Sequence, residues 1–511
     1  MRWTWVAVVL LGLVVMGWSA AAQSSDLEAQ VKKMQEQIEK QQAQLQALQE
    51  ALESESKERK SSLSEIKSLQ LQTDRIKIGG DIRLRGVSFH DVWDMGTAPA
   101  GLPEWNDSWD FYRFRNRLWF DVNLGEADIA EEIRGYIRLV NEYRWGDTPD
   151  SIYTTDGETN TTKQIEIDNA YIELKYIANT CVSLKLGRQD LIYGEGFLIL
   201  DGTPWDGSRT IGFDAIKATL DFDHTIVDVF MAKVFENDRG QGDDENLLGV
   251  YATNKELLNG HTIEAYVLHQ DNNEQYYTGH PTAGRGKLIP SFNVTTVGTR
   301  LSGKLTDNLK YAGEIAGQWG NNNSAYDSRF GGISVDASSD NAIGGYLNGT
   351  YCMNDLSLKP ELTAGFTYLG EGWKSMYGNW PKYSELLIYT FYDGFDYFKP
   401  TNTDPTVGTW TNMMFPSVAM TVKPTEKMTA SLGYRYLIAV DERSNSELMF
   451  DSGGNVVDGD NIGSLVQAMV KYQFTKNLSS HALIEYFSPG DYYPDYFNDA
   501  YFARWELMLS F

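Results

Sequence analysis

The chain has 511 residues, of which 42% are hydrophobic and 13% aromatic, and its formal net charge is −26. After residue 22, no segment approaches the roughly 20 continuous apolar residues that a membrane-spanning helix requires, which excludes helical insertion of the remaining chain. The length exceeds one ordinary globular domain, but a single large β-barrel with an appendage accounts for it. We expect no nucleic-acid partner.

Residues 1–22 have the pattern of a secretory signal peptide. Arg2 supplies a basic start, an apolar run extends from Trp5 to Gly17, and small residues occupy positions 19–22. This stretch is too short for a membrane anchor and lacks the flanks of one. We therefore predict that the protein is exported and that this segment is removed.

Residues 23–74 are predicted to form a helical coiled coil. The stretch from Asp26 to Thr73 contains no Gly or Pro, and apolar residues recur at alternating spacings of four and three, as in a heptad repeat. Self-association into a homotrimer is one interpretation. The helix could instead lie against or plug a barrel, or contact the cell wall or a periplasmic partner. The heptad positions are Leu27, Val31, Met34, Ile38, Gln41, Leu45, Leu48, Leu52, Ile66 and Leu69, with Glu55, Arg59 and Ser62 interrupting them.

Residues 75–511 contain about eighteen strand-length runs in which apolar and polar residues alternate. Short and long connections alternate between these runs, as in outer-membrane barrels, where short turns face the periplasm. The fold class predicted is an all-β transmembrane antiparallel barrel in the outer membrane of a Gram-negative-type bacterium, with the coiled coil in the periplasm. The run Tyr501 to Phe511 ends on an aromatic residue and resembles the assembly signal of such barrels.

The first three strands place arginines on the face opposite the apolar one. A basic side chain facing lipid at the bilayer midplane costs roughly 2–4 kcal/mol, so these arginines are predicted to line the lumen. A net positive lumen that guides anions is one interpretation, and pairing with Asp81, Asp121 and Glu142 is the other. The candidate substrate-binding residues are Arg83, Arg85, Arg113, Arg115, Arg117, Arg134, Arg138, Arg144, Arg300 and Arg435. Other basic positions predicted to face inward are Lys175, Lys185, Lys217, Lys359, Lys471 and Arg504.

The stretch Ile167 to Leu220 resembles the alginate-export porin family of bacterial outer-membrane β-barrels. The matching elements are the sequence "DNAYIELKY" followed by Gly187-Arg188-Gln189, Tyr193-Gly194 and Phe213-Asp214-Ala215. The resemblance implies an outer-membrane channel whose basic lumen conducts an acidic polysaccharide such as a polyuronate. Two features depart from that family's exporter, namely the long coiled coil and the short turn near Thr475 to Leu478.

Three functions are weighed on these residues. The first is passive transport of an anionic polysaccharide or oligosaccharide, and the second is uptake of phosphate or other small anions. The third is a structural barrel that tethers the envelope through the coiled coil. Aromatic residues in the connection 370–412 favour a sugar, although they would also suit a membrane interface.

An enzyme is not expected, because the six histidines show no metal-type clustering and no nucleophile and base share a recognisable spacing. No catalytic residue, metal or cofactor is assigned. The acidic loop 451–460 is interpreted as solvated rather than as a Ca²⁺ loop, because it lacks regular ligand spacing.

Overall fold

A computed structural model shows two units, the first ending at Asp74 and the second comprising Arg75–Phe511. The described residues are 24–91, 109–145, 165–200, 212–235, 245–272, 276–278, 287–289, 292–322, 325–327, 333–335, 339–378, 383–389, 410–441, 449–495 and 497–511. The predicted signal peptide lies outside them.

The first unit is one helix, α1 (Ser24–Asp74). Its absence of Gly and Pro and its richness in Gln, Glu, Lys, Leu and Ala favour a continuous helix. The heptad side chains that are described are exposed; for example, Ile38 is 52% exposed and Leu48 is 66% exposed. Glu55 and Arg59 form an exposed ion pair one turn apart at 3.4 Å. The predicted helix is therefore present, and its self-association stays a prediction. Neither described helix is apolar over a length that would cross a bilayer.

The second unit is a β-barrel with one short helix, α2 (Glu385–Tyr389). Its strands are β1 (Ile76–His90), β2 (Trp109–Ala127), β3 (Ala130–Arg144), β4 (Glu166–Ile177), β5 (Val182–Gln189), β6 (Phe213–Phe222), β7 (Thr225–Phe235), β8 (Glu245–Leu258), β9 (His261–Asn272), β10 (Tyr276–Thr278), β11 (Lys287–Ile289), β12 (Phe292–Thr306), β13 (Leu309–Asn322), β14 (Ala325–Asp327), β15 (Ile333–Val335), β16 (Ser339–Cys352), β17 (Glu361–Leu369), β18 (Met413–Thr425), β19 (Met428–Ala439), β20 (Met449–Phe450), β21 (Val456–Val457), β22 (Asn461–Gln473), β23 (Leu478–Pro489) and β24 (Ala500–Ser510).

Eighteen of these strands form one closed antiparallel sheet, as predicted. Each pairs with its neighbours along the chain, and β1 pairs with β24 to close the barrel. The seam is continued by Gly80 and Phe511, whose backbone N–H groups each donate to the other's carbonyl at 3.0 Å. The remaining six strands form three small hairpins, β10–β11, β14–β15 and β20–β21, within long connections.

Short and long connections lie at opposite ends of the barrel, as the alternation predicted. Turns of two residues join β2 to β3, β8 to β9 and β12 to β13, and Gly260 adopts the positive φ of 80° that a tight turn favours. Both cysteines, Cys181 and Cys352, border turns at the short-turn end and are free thiols.

The strand predicted at 356–369 begins only at Glu361, so the prediction that Lys359 faces inward from a strand was wrong. Residues 353–360 form a turn in which Lys359 has a φ of 42°. The backbone at Lys359 is therefore not extended, and Pro360, which cannot donate to a ladder, directly precedes β17. Lys359 is a turn residue and not an inward residue of a strand.

The outer surface of the barrel is a belt of aliphatic side chains. Ile315, Leu432 and Ile484 lie within their strands and are 58% to 59% exposed. Their strand neighbours Glu314 and Glu485 point the opposite way and are buried inside. Because each strand alternates in this manner, the outer face suits lipid and the polar face encloses the lumen.

Candidate functional site

The predicted arginines of β1 and β2 face the lumen and lie side by side. Arg83 is directly opposite Arg115, and Arg85 is directly opposite Arg113. Like charges opposite each other destabilise a sheet unless other groups neutralise them. Acidic side chains from β1, β3 and β24 therefore have to lie close to these guanidinium groups.

Three carboxylates serve this purpose and complete what we call the arginine cluster. Asp81 accepts from Arg115 at 2.9 Å and from Arg117 at 2.7 Å. Glu142 accepts from Arg113 at 2.7 Å and lies 3.4 Å from Arg83. Glu506 accepts from Arg85 at 2.7 Å and lies 3.7 Å from Arg83. The cluster thus joins five guanidinium groups to three carboxylates, so the internal pairing weighed from the sequence does occur.

Burial divides these arginines into two groups. The side chains of Arg83, Arg85 and Arg115 are only 2% to 3% exposed, whereas those of Arg113 and Arg117 are 11% and 17% exposed. The first three side chains are therefore almost entirely covered by neighbouring groups.

A second set of cations crosses β3 to β6 and is more accessible. Arg134, Glu173, Lys185 and Lys217 are successive partners in the strand register, and we call them the basic row. The cationic side chains of the row are 29%, 21% and 19% exposed, in that order. Three cations and one carboxylate thus border the lumen together.

Aromatic rings hold two of these cations in place. The Lys185 ammonium lies 4.6 Å from the centre of the Tyr171 ring, and the Arg134 guanidinium lies 5.8 Å from that of Tyr136. The two rings are stacked with their centres 5.2 Å apart. Cation–π attraction of this kind restricts the side chains without neutralising their charge. Arg134 also binds Asp121 at 2.7 Å.

The other predicted site residues lie elsewhere. Arg138 pairs with Asp168 at 2.5 Å and with Asp190 at 3.1 Å. Arg300 on β12 and Arg435 on β19 are remote in the strand order from the arginine cluster. Arg300 binds Glu264, and Arg435 has a buried Nη1 without a hydrogen-bond partner among the described residues.

One predicted site residue is only partly described. Arg144 ends β3, where its backbone pairs with Arg113. Its side chain lies outside the described residues. The contribution of Arg144 to the lumen therefore stays a prediction.

Two long connections fold into the lumen, which the sequence did not reveal. The first inward segment is 190–200, and the second comprises 370–378 and 383–389. They meet where Ile199 bridges Tyr377, whose carbonyl accepts from Leu200 at 2.7 Å and whose N–H donates to Leu198 at 2.9 Å. A run of apolar residues within a long polar connection, such as Phe197 to Leu200, is the signal that marks such a segment.

Hydrogen bonds attach both segments to the wall. Tyr193 donates to Asp228 at 2.9 Å, and the Gln318 amide donates to the Lys374 carbonyl at 2.6 Å. The Tyr377 hydroxyl donates to Glu245. These anchors lie on β7, β13 and β8, so the segments span the interior and narrow it.

The start of α2 is clamped against β23 and β24. Glu485 accepts from the Ser384 hydroxyl at 2.6 Å and from the Leu386 N–H at 2.9 Å. Glu385 binds Arg504 at 2.5 Å, and their side chains are only 2% and 1% exposed. Leu386 and Leu387 are fully buried beside them.

The residues that carry the family resemblance lie partly in the wall, whereas Glu173 belongs to the basic row and Tyr193 and Gly194 belong to the first inward segment. Arg188 binds Asp214 through two parallel bonds of 2.8 Å. The Gln189 amide donates to the carbonyl of Ala215 at 3.0 Å. Gly187 has a φ of 121°, and a Cβ there would lie 2.3 Å from the Ala170 carbonyl oxygen. These residues hold β4, β5 and β6 together.

The aromatic and acidic loops are only partly described. Trp373 and Tyr383 are buried in the second inward segment, whereas Trp380, Tyr392 and Tyr397 lie outside the described residues. Asp451 accepts from the backbone of Asn455 at 2.7 Å, which closes the tip of β20–β21. Within the part of the chain that the structure describes, no group of three potential metal ligands occurs.

Comparison with solved structures supports the barrel fold. The chain superposes on Pseudomonas aeruginosa OccK9 (OpdG) with a TM-score of 0.50 at 11% identity, covering 86% of this chain and 98% of that one. Pseudomonas aeruginosa OpdO gives 0.51 at 9% identity, with 86% and 97% covered. At such identities the likeness concerns the fold alone.

Sequence comparison gives the family. No significant match to a curated protein was found. The family model described as alginate export matches residues 74–498, which include every strand of the barrel wall except β24. Family and fold are those of transport porins and not of enzymes. The chain therefore belongs to the alginate export family of outer-membrane β-barrel channels.

Proposed function

We propose that this channel passively conducts an anionic polysaccharide or oligosaccharide of the polyuronate type. The observation that carries the proposal is the basic row. Its three cations each pair with a carboxylate, yet they remain 19% to 29% exposed to the lumen. The family supports a polymer as cargo, because the matching model is described as alginate export.

The chemistry of the row fits a sugar acid. A carboxylate that enters the lumen loses hydration, and charge-assisted hydrogen bonds from Arg134, Lys185 and Lys217 offset that loss. Guanidinium and ammonium groups differ in geometry, so several carboxylate orientations are accepted along the row. Glu173 lies 3.6 Å from Arg134 and 3.4 Å from Lys185 and competes with a cargo carboxylate for both, which suits conduction more than tight binding.

The first prediction concerns neutralisation of the row by Arg134→Gln, Lys185→Gln and Lys217→Gln together. Each exposed charge interaction contributes about 0.5 kcal/mol. Losing three should weaken block by a uronate oligomer roughly tenfold, since about 1.4 kcal/mol corresponds to tenfold in affinity. Reversal potential in a salt gradient and block by oligogalacturonate, both in planar bilayers, are the measurements.

Arg188→Gln is the matched control, because Arg188 is basic but faces away from the lumen, where it binds Asp214. We expect its anion preference and oligomer block to equal those of the wild type. Unchanged selectivity in the triple variant would refute the role of the basic row. Cation selectivity of the wild-type channel without oligomer block would refute the proposed cargo.

Uptake of phosphate or other small anions is the second candidate, and the inward segments favour it because they narrow the lumen. The two candidates differ in which solute competes for the row. If phosphate blocks the channel current more strongly than oligogalacturonate does at an equal concentration of negative charge, small-anion uptake is supported.

We further propose that α1 associates into a homotrimer in the periplasm. The exposed side chains of Met34, Ile38, Leu45, Leu48 and Leu52 form a stripe with heptad spacing. Deleting residues 24–74 should convert a detergent-solubilised trimer into a monomer, which light scattering coupled to size-exclusion chromatography measures. A trimer in both proteins would assign association to the barrel, and a monomer in both would refute the proposal.

The same deletion tests the tethering role of the barrel. Loss of envelope integrity in the deletion strain, without loss of channel conductance, would favour that role.

A further inference from the structure

Glu385 and Arg504 form a buried ion pair between a connecting segment and the barrel wall. Arg504 lies on the inner face of β24 and would face the lumen if α2 were absent, because side chains at 502, 504 and 506 all point inward. The Glu385 carboxylate that covers it belongs to the second inward segment and not to a neighbouring strand. The group that satisfies Arg504 therefore comes from a part of the chain outside the wall.

We propose that Arg504 forms a second binding site for the carboxylates of the cargo, which Glu385 occupies here as a tethered stand-in. This inference rests on the proposed function, since it assumes an acidic saccharide. A uronate carboxylate is chemically equivalent to the side chain of Glu385, so exchange replaces one ion pair at Arg504 by another. An oligomer also offers several carboxylates, which raises their effective concentration once the first has bound at the basic row.

The surroundings are consistent with an exchange at this site. Glu485 stays bound to Gln467 at 2.6 Å and holds α2 through Ser384, so it limits how far α2 moves. His481 lies 3.2 Å from the Arg504 Nε and keeps that side chain oriented. The site therefore retains Arg504 in position when Glu385 leaves.

The test compares the wild type with Glu385→Gln, which removes the stand-in charge and keeps its shape. Oligogalacturonate is added to single channels in planar bilayers, and the concentration for half-maximal block is measured. We expect this concentration to fall roughly tenfold in Glu385→Gln, as expected when one charge-assisted interaction is gained. The double variant Glu385→Gln with Arg504→Gln should lose that gain and return to the wild-type value or above it.

Glu361→Gln is the matched control, because it also removes one acidic charge but lies at the short-turn end, where Glu361 binds Lys423. Heat-modifiable migration in SDS gels verifies that each barrel is folded. Equal sensitivity of Glu385→Gln and the wild type would overturn the inference, as would equal sensitivity of the single and double variants. Absence of block in the wild type and all variants would instead refute the proposed function itself.

Discussion

Replacing residues 371–411 by a short Gly-Ser linker should raise the single-channel conductance severalfold. The second inward segment occupies the interior between β8, β13 and β23, and its removal leaves β17 and β18 intact on either side. An eighteen-stranded barrel without such a segment encloses an aqueous channel. Planar-bilayer recording in symmetric salt measures the change.

A truncation of the hairpin β14–β15 is the matched control, because it shortens another long connection at the same end. Its conductance should equal that of the wild type. Equal conductance of the 371–411 variant and the wild type would mean that the first inward segment, and not the second, limits the flow of ions.

Glu506→Ala should destabilise the barrel by roughly 3–5 kcal/mol, because removal of one partner from a buried ion pair leaves an uncompensated charge. Glu506 lies near both Arg83 and Arg85, whose side chains are 3% and 2% exposed. Urea-dependent unfolding in lipid vesicles, followed by tryptophan fluorescence, measures the free energy of unfolding.

Glu361→Ala is the comparison for this prediction. The Lys423 and Glu361 side chains are 46% and 27% exposed, so their pair contributes about 0–1 kcal/mol. If Glu506→Ala lowered the free energy of unfolding no more than Glu361→Ala does, the arginine cluster would not contribute measurably to the stability of the barrel.

The barrel could be predicted from the sequence because lipid imposes a strict period of two. Residues such as Ile315 and Ile484 must face outward, and this fixes the orientation of their neighbours. All eighteen wall strands were predicted for this reason. The alternating pattern gave a wrong prediction at Lys359. Polar and apolar residues go on alternating there, but the positive φ of Lys359 shows that the backbone forms a turn.

The site was predictable only in part. That the arginines of β1 to β3 face inward follows from the same alternation, but their ion pairs do not. Arg85 and Glu506 are 421 positions apart and meet because β1 pairs with β24 in one particular register. The inward segments obey no periodicity, so Glu385 gave no indication that it would reach Arg504.

The pairing of β1 with β24 has a consequence for how the protein is made. The two halves of the seam are synthesised at opposite ends of the barrel sequence, so β1 has an open edge throughout the interval before β24 becomes available. Exposed strand edges recruit other chains, and contacts this distant in sequence form slowly. We therefore expect the unclosed wall to be prone to aggregation until its final strand is available.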